Sequence, residues 1–330
     1  MKRGGKTALQ ALAFWASALA GPGHACAFHG YTPNPTLVDL VMATEHLVIA
    51  RPLSGAADVL IVSETLMGPP VDRIHLPGRR GTQAASESRL LLRDGPYGPW
   101  MDAVLVDAQM RAVLGAVLQR LDGWQLGGED DRLQYFAALV NATSPQVRRL
   151  ALLELDRAPY GALKRVRRPE VKGLGKLLVT GREDLKPIRA LLAGLSGDAG
   201  HRQVLQSELA RALKSEQAQA GAYATALIEL DGVQAVRQIF DTYLEPGHLS
   251  VPQQQALVSA LALQYRNGPA DTRRAIVARV ARLSRHSDTF GDIARGQFTP
   301  TASGRLLAVI PARQEPRILE LPDVAGGIAE

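Results

Sequence analysis

The residues best placed to do chemistry stand at the very start of the chain. Lys2, Arg3 and Lys6 precede an apolar stretch from Thr7 to Ala20, and Gly21-Pro22-Gly23 then leads into Ala25-Cys26-Ala27. A basic end, an apolar stretch and small residues in that order are the layout of a cleavable export signal. Cleavage is expected between Ala27 and Phe28, because the peptidase admits only small side chains there. The apolar stretch holds about fourteen residues, short of the roughly twenty that span hydrocarbon. After cleavage His29 would stand second, beside a free α-amine, and amine, amide and imidazole nitrogens together suit a copper ion. The competing reading leaves His29 incidental and packs Phe28 into the fold.

A lipid-bearing Cys26 is the minority alternative to a free mature chain. Lipidation sites resemble Leu-Ala-Gly-Cys, and Gly23-His24-Ala25-Cys26 departs from that pattern at Gly23 and His24.

Elsewhere each candidate has a plainer explanation beside it. Gly173-Leu-Gly175-Lys176 lacks the Gly-x4-Gly-Lys-Ser/Thr spacing that cradles phosphates, so a flexible loop is expected. Gly194-Leu-Ser196-Gly197 is one residue off the Gly-x-Ser-x-Gly elbow and lies between helices, where a C-cap glycine is the better account. His46, His75, His201, His248 and His286 never fall three or four apart, so no helix presents paired zinc ligands. Glu129-Asp130-Asp131 opens a helix, where carboxylates stabilise the N-terminus, rather than a hard-cation site. Arg279, Arg282 and His286 fall at i, i+3 and i+7, a candidate cationic stripe for an acidic protein or envelope polymer, though a solvated helix face explains them equally. Asn141-Ala-Thr143 is an acceptor for glycosylation only in a eukaryotic secretory route. No cofactor is implied by any motif.

The chain carries 38 basic and 32 acidic residues, a net charge of +6. Losing residues 1 to 27 removes Lys2, Arg3 and Lys6 and no acid, leaving 35 against 32. So near-neutral a chain lacks the cation excess of a general nucleic-acid binder. Cys26 is the only cysteine, which excludes a disulfide-stapled mature fold. With 46% hydrophobic residues the protein must be held by its core, and no second apolar stretch reaches membrane length.

Two regions follow from the patterning. Between Phe28 and about residue 125, His46–Arg51, Asp58–Leu66, Arg73–Leu76, Arg89–Arg93 and Ala103–Val106 are short and rich in Val, Ile and Leu. Gly and Pro clusters separate them, which predicts an antiparallel meander. Asp107 is placed to cap a helix from Ala108 to Leu121. The succession of strands, with Glu64-Thr-Leu-Met-Gly68 ending the second, resembles the oligonucleotide-binding-type barrels of exported netrin-like modules, which implies a small barrel. Those modules usually carry cysteines, and the chain after Ala27 has none.

From residue 129 the period becomes helical. Leu133, Phe136, Ala137 and Val140 share one face; Ser144-Pro145 turns the chain; Val147, Leu150, Ala151 and Leu155 form the next stripe. This pair, with Val147-Arg148 followed by Ala and Leu, resembles one HEAT repeat. The resemblance covers about thirty residues and implies a solenoid of stacked helix pairs. Further helices are predicted over Glu183–Leu195, His201–Leu213, Glu216–Leu230, Val233–Leu244, Pro252–Tyr265, Asp271–Leu283 and Thr289–Gly296, with Lys164–Lys176 as an exposed loop.

The expected fold is therefore α+β: a signal peptide (1–27), a small sheet-containing, barrel-like domain (28–125), an all-α HEAT-like solenoid or bundle (129–310) and a loosely ordered tail (311–330). The expected function is that of a non-catalytic binding or scaffold protein, periplasmic or secreted, whose helical-repeat surface engages another protein. The alternatives are an envelope hydrolase with a site at the domain junction, and copper binding through the mature N-terminus.

Overall fold

The structure, a computed structural model, describes residues 35–77, 87–217 and 219–298. The expected signal peptide, Cys26, His29 and the tail lie outside these residues. A short helix missing from the sequence reading comes first: α1, Leu37–Met42. A capping box makes six residues enough. Thr36 Oγ1 accepts the Asp39 N–H at 3.3 Å, and the Asp39 carboxylate accepts the Thr36 N–H at 2.9 Å.

Five antiparallel strands follow: β1 (His46–Leu53), β2 (Ala56–Met67), β3 (Arg73–His75), β4 (Arg89–Arg93) and β5 (Met101–Leu105), in the order β3-β2-β1-β4-β5. β1 lies at the centre and is apolar without alternation because both its faces are covered. Leu47 and Ile49 join the large core beneath the helices, whereas Val48 and Ala50 join a second, small core with Leu60, Ile74 and Leu91. The sheet is open, with β3 and β5 as its edges, so the closed barrel is not formed among the described residues. On the small-core face Arg93 Nε donates to His46 Nδ1 at 2.9 Å while its guanidinium lies 4.6 Å from the Trp100 ring centre.

Helix α2 (Ala108–Gln125) begins where expected, the Asp107 carboxylate accepting the Met110 N–H at 2.7 Å, and it lays Met110, Val113, Leu114 and Val117 on the core. The remaining helices are α3 (Glu129–Ala137), α4 (Pro145–Asp156), α5 (Tyr160–Arg165), α6 (Leu174–Thr180), α7 (Lys186–Ser196), α8 (Arg202–Lys214), α9 (Ala220–Asp231), α10 (Val233–Ile239, extended by a π turn over Phe240–Leu244), α11 (Val251–Asn267), α12 (Ala270–Ser284) and α13 (Asp288–Gln297). The chain is thus α+β, a small open sheet followed by helices. Alternate helices touch in series: α4 on α7, α7 on α9, α9 on α11 and α11 on α13, with α6 on α8 and α10 on α12 alongside.

Small residues set the closeness of this packing. A Cβ at Gly194 of α7 would come within 2.5 Å of the Ala226 carbonyl of α9, and Ala222, Ala224 and Ala226 are fully buried.

Two expectations need correction. Lys164–Lys176 is not a simple exposed loop: its ends belong to α5 and α6, and Val171 and Leu174 are buried. The predicted helix over Glu216–Leu230 starts only at Ala220, because Glu216 takes a positive φ of 52°. The larger of the two cores spans both regions. One apolar cluster runs from Val38 through Leu92 and Leu155 to Phe298, so sheet and helices share an interior.

Candidate functional site

Where sheet and helices meet, the protein leaves a cleft of about 730 Å³. Pro35, Thr36, Leu37 and Leu40 form one wall from α1, and Met101–Val104 of β5 form another. Leu92 of β4 and Met110 of α2 contribute apolar surface between them. Helix α4 supplies the facing wall through Gln146, Arg149, Leu150, Leu153 and Asp156, whose spacing of three and four places them along one side of the helix. Glu183, Asp184, Pro187 and Gln219 close the far end.

The charged groups of this lining are engaged. Arg149 Nη2 lies 2.9 Å from Asp184, which also takes Arg182 Nε at 3.0 Å. Burial alone would raise the Asp184 pKa, but the hydrogen bonds from Arg182 and Arg149 outweigh it and hold the carboxyl below its usual range. Glu183 is lowered chiefly by its hydrogen bond with Lys186, 2.5 Å away, whose side chain is buried. Asp102 pairs with Arg89 at 2.6 Å. Thr36 carries the single hydroxyl of the described lining, and that hydroxyl donates to Asp39 at 3.0 Å. Among the described residues the lining holds no histidine or cysteine.

Behind the α1 wall sits an ionic clamp. Arg132 of α3, only 6% exposed, donates to Glu154 of α4 at 2.7 Å, to Asp39 at 2.9 Å and to Thr36 Oγ1 at 3.0 Å. Arg157 adds a second cation 2.9 Å from Asp39. For Asp39, burial is outweighed by the Thr36 N–H and the two arginines, and its pKa falls. For Glu154 burial wins over Arg132 and the pKa rises; its Oε1 is buried without a hydrogen-bond partner. The clamp ties α1 to α3 and α4 and so fixes two walls of the cleft.

A second polar cluster lies inside the helical array. Glu229 of α9 accepts from the Tyr160 hydroxyl at 2.5 Å, from Lys164 Nζ at 3.0 Å and from Gln264 Nε2 at 3.1 Å. Burial raises the Glu229 pKa, but these three donors more than reverse the effect. Burial, reinforced by the Glu229 charge, pushes the Tyr160 phenol far up. Next to the cluster is a second cavity of about 670 Å³, flanked by Lys164, Arg167, Arg168 and His201. Arg168 points inward and caps the carbonyls of Leu163, Val166 and Leu195.

The remaining candidates fall into place individually. Arg279 and Arg282 both bond Glu245, Arg279 at 2.8 Å, and Arg279 also meets Asp241 at 2.7 Å; His286 Nδ1 contacts the Arg282 carbonyl. The stripe is thus matched in charge by the turn after α10. Gly197 is the C-cap of α7, at φ 71°, and Gly173 the N-cap of α6. Asp131 accepts the Trp124 indole N–H at 2.8 Å in the first turn of α3. Both ends of the Asn141 amide clip the loop before α6, donating to the Glu170 carbonyl and accepting the Lys172 N–H. No group of three or more metal-ligating side chains occurs among the described residues, and none of their helices is long and apolar enough to cross a membrane.

The chain matches no protein-family model, no curated protein and no solved structure. The hydrolase alternative placed a site at this junction, but its residues and the clamp were not singled out in the sequence, although a signal for the clamp was present. Arg132 and Glu154 occupy positions on the apolar stripes of their own helices, four residues before Phe136 and four after Leu150, and a charge on a buried stripe needs a buried partner.

Proposed function

We propose that this is an exported protein that binds another protein, and that the cleft between sheet and helices is where it does so. One observation supports the reading above the others: the walls of the cleft come from α1, β5 and α4, and a buried ionic clamp fixes two of them in place. A rigid concave surface with an apolar floor and a charged rim is the form of a binding site, because preorganised walls lower the ordering cost of association. The helices act as the frame. Their alternate contacts, α4 to α13 in one series, support a HEAT-like stacking in which each pair covers the next.

The hydrolase alternative takes support from the position of the cleft at the junction. It gains none from Asp102, Glu183 and Asp184, which are held in ion pairs, nor from the one hydroxyl of the described lining, which caps α1.

The reading is tested by placing a photo-crosslinking residue at Met101, in the cleft, and at Val251, exposed on the helices, in the full chain in its native envelope. Protein adducts from Met101 and not from Val251 are expected. Adducts from Val251 alone, or from neither, contradict it. Sequencing the exported form tests the export reading: Phe28 is the expected first residue.

A further inference from the structure

His46 opens β1 and faces Arg93, the last residue of β4, across the ladder. It is only 6% exposed, and one atom of its ring receives two donors: Arg93 Nε lies 2.9 Å and Arg93 Nη2 2.6 Å from His46 Nδ1. Trp100 rests against both side chains. Its ring is stacked on the imidazole, with 6.1 Å between centres and 27° between planes, and lies 4.6 Å from the guanidinium carbon. The imidazole also abuts Gly68, just beyond β2, where a Cβ would stand 2.0 Å from His46 Cδ2. Thr44 fixes the strand end by donating to the Arg93 carbonyl at 2.8 Å.

A guanidinium donates and never accepts, so the contact exists only while Nδ1 keeps its lone pair; the one ring proton of neutral His46 then sits on Nε2. A doubly protonated imidazole carries N–H on both nitrogens. Donor would then face donor, and one cation another, in a site closed to water. The other groups against the ring, Gly68 and Trp100, bring no charge. The acids next to the pair in sequence, Glu45 and Asp94, are exposed. We propose that His46, Arg93 and Trp100 form a proton-operated latch: the neutral imidazole holds Arg93 and Trp100 against the sheet, and the protonated imidazole releases them. Arg93 and Trp100 bracket the turn between β4 and β5, so release frees that turn at both ends. Trp100 precedes Met101 of the cleft wall, and acid therefore loosens the wall where β5 begins. The latch is a property of the sheet and holds whatever the cleft binds.

The test uses the full chain labelled with 5-fluorotryptophan and with nitrogen-15 histidine. Its three tryptophans are Trp15, Trp100 and Trp124, and the Trp100 fluorine signal is identified by its loss in Trp100→Phe. At about pH 8 the His46 ring should show the Nε2–H tautomer. Between about pH 8 and about pH 5, the range in which histidine gains its charge, the Trp100 signal should move toward its position in the urea-unfolded chain, in step with the His46 ring and with Trp124 unmoved. His46→Gln supplies an acceptor for Arg93 that takes no proton, and should hold the Trp100 signal at its pH 8 position throughout. Four results overturn the latch, and the first three need no variant: an Nδ1–H tautomer at pH 8, a His46 ring that gains its proton without moving Trp100 or gains none by pH 5, a Trp124 signal that moves with Trp100, or an undiminished Trp100 shift in His46→Gln.

Discussion

The junction cleft and the basic cavity of the helical array enclose nearly equal space, about 730 and 670 Å³, and differ in what surrounds it. The array cavity is lined by one stretch of chain, Lys164 to His201, and its cations turn inward: Lys164 to Glu229, Arg168 to three carbonyls. Its basic residues hold the array together. The junction cleft gathers α1, β4, β5, α2, α4 and the segment around Glu183 from across the sequence, and presents an open sheet edge above apolar side chains. Volume alone does not mark a site; the charged side chains of the cleft are paired too, and what sets it apart is the number of elements that build it, with apolar surface between them.

The sharpest way to break this contrast is Arg132→Ala. It leaves Glu154 and Asp39 buried with too few cations and is expected to cost about 3–5 kcal/mol in urea unfolding. Because α1 is released, affinity at the cleft falls with it. The double variant Arg132→Met with Glu154→Leu removes the pair together and recovers most of that loss.

In the array, Tyr160→Phe deletes a hydrogen bond to the Glu229 carboxylate and should cost about 1.5–3 kcal/mol. It leaves cleft binding unchanged. A binding loss matching that of Arg132→Ala would mean that the two cavities act as one.

The buried carboxylates also separate the regions by pH. Glu154 has its folded pKa raised, so its contribution favours the folded state below the ordinary glutamate pKa and is lost as pH rises through the folded value. Glu229 is lowered, so its contribution is present above the ordinary value and lost as pH falls through the folded one. Thermal melts from about pH 4 to about pH 7 should show Glu154→Gln and Glu229→Gln differing from wild type with opposite slopes. Equal slopes would refute the assignment. The smallest effect is expected at the far end: Arg282→Ala, half exposed beside Glu245, should change stability by less than about 1 kcal/mol.

Strands and most helices were legible in the sequence because burial imposes a period. β4 matches its expected bounds, and Asp107 caps the helix it precedes as its position predicts. Helix α1 was not legible, since a single turn and a half is too short for a period and exists through its cap and the clamp. The cleft was hidden for a different reason. Asp39 and Arg132 are 93 residues apart, and nothing in local spacing says that they meet. The stripe of Arg279, Arg282 and His286 was visible by period alone, but Glu245 and Asp241, which neutralise it, stand on another helix.

Hydrogen exchange at the walls of the cleft tests the central claim most directly. With the partner captured at Met101 bound to the full chain, backbone amides of α1 and of Met101–Leu105 should gain protection while those of β3, the opposite edge, stay unchanged. Protection confined to α10–α13, with α1 and β5 exchanging as in the free protein, would contradict it.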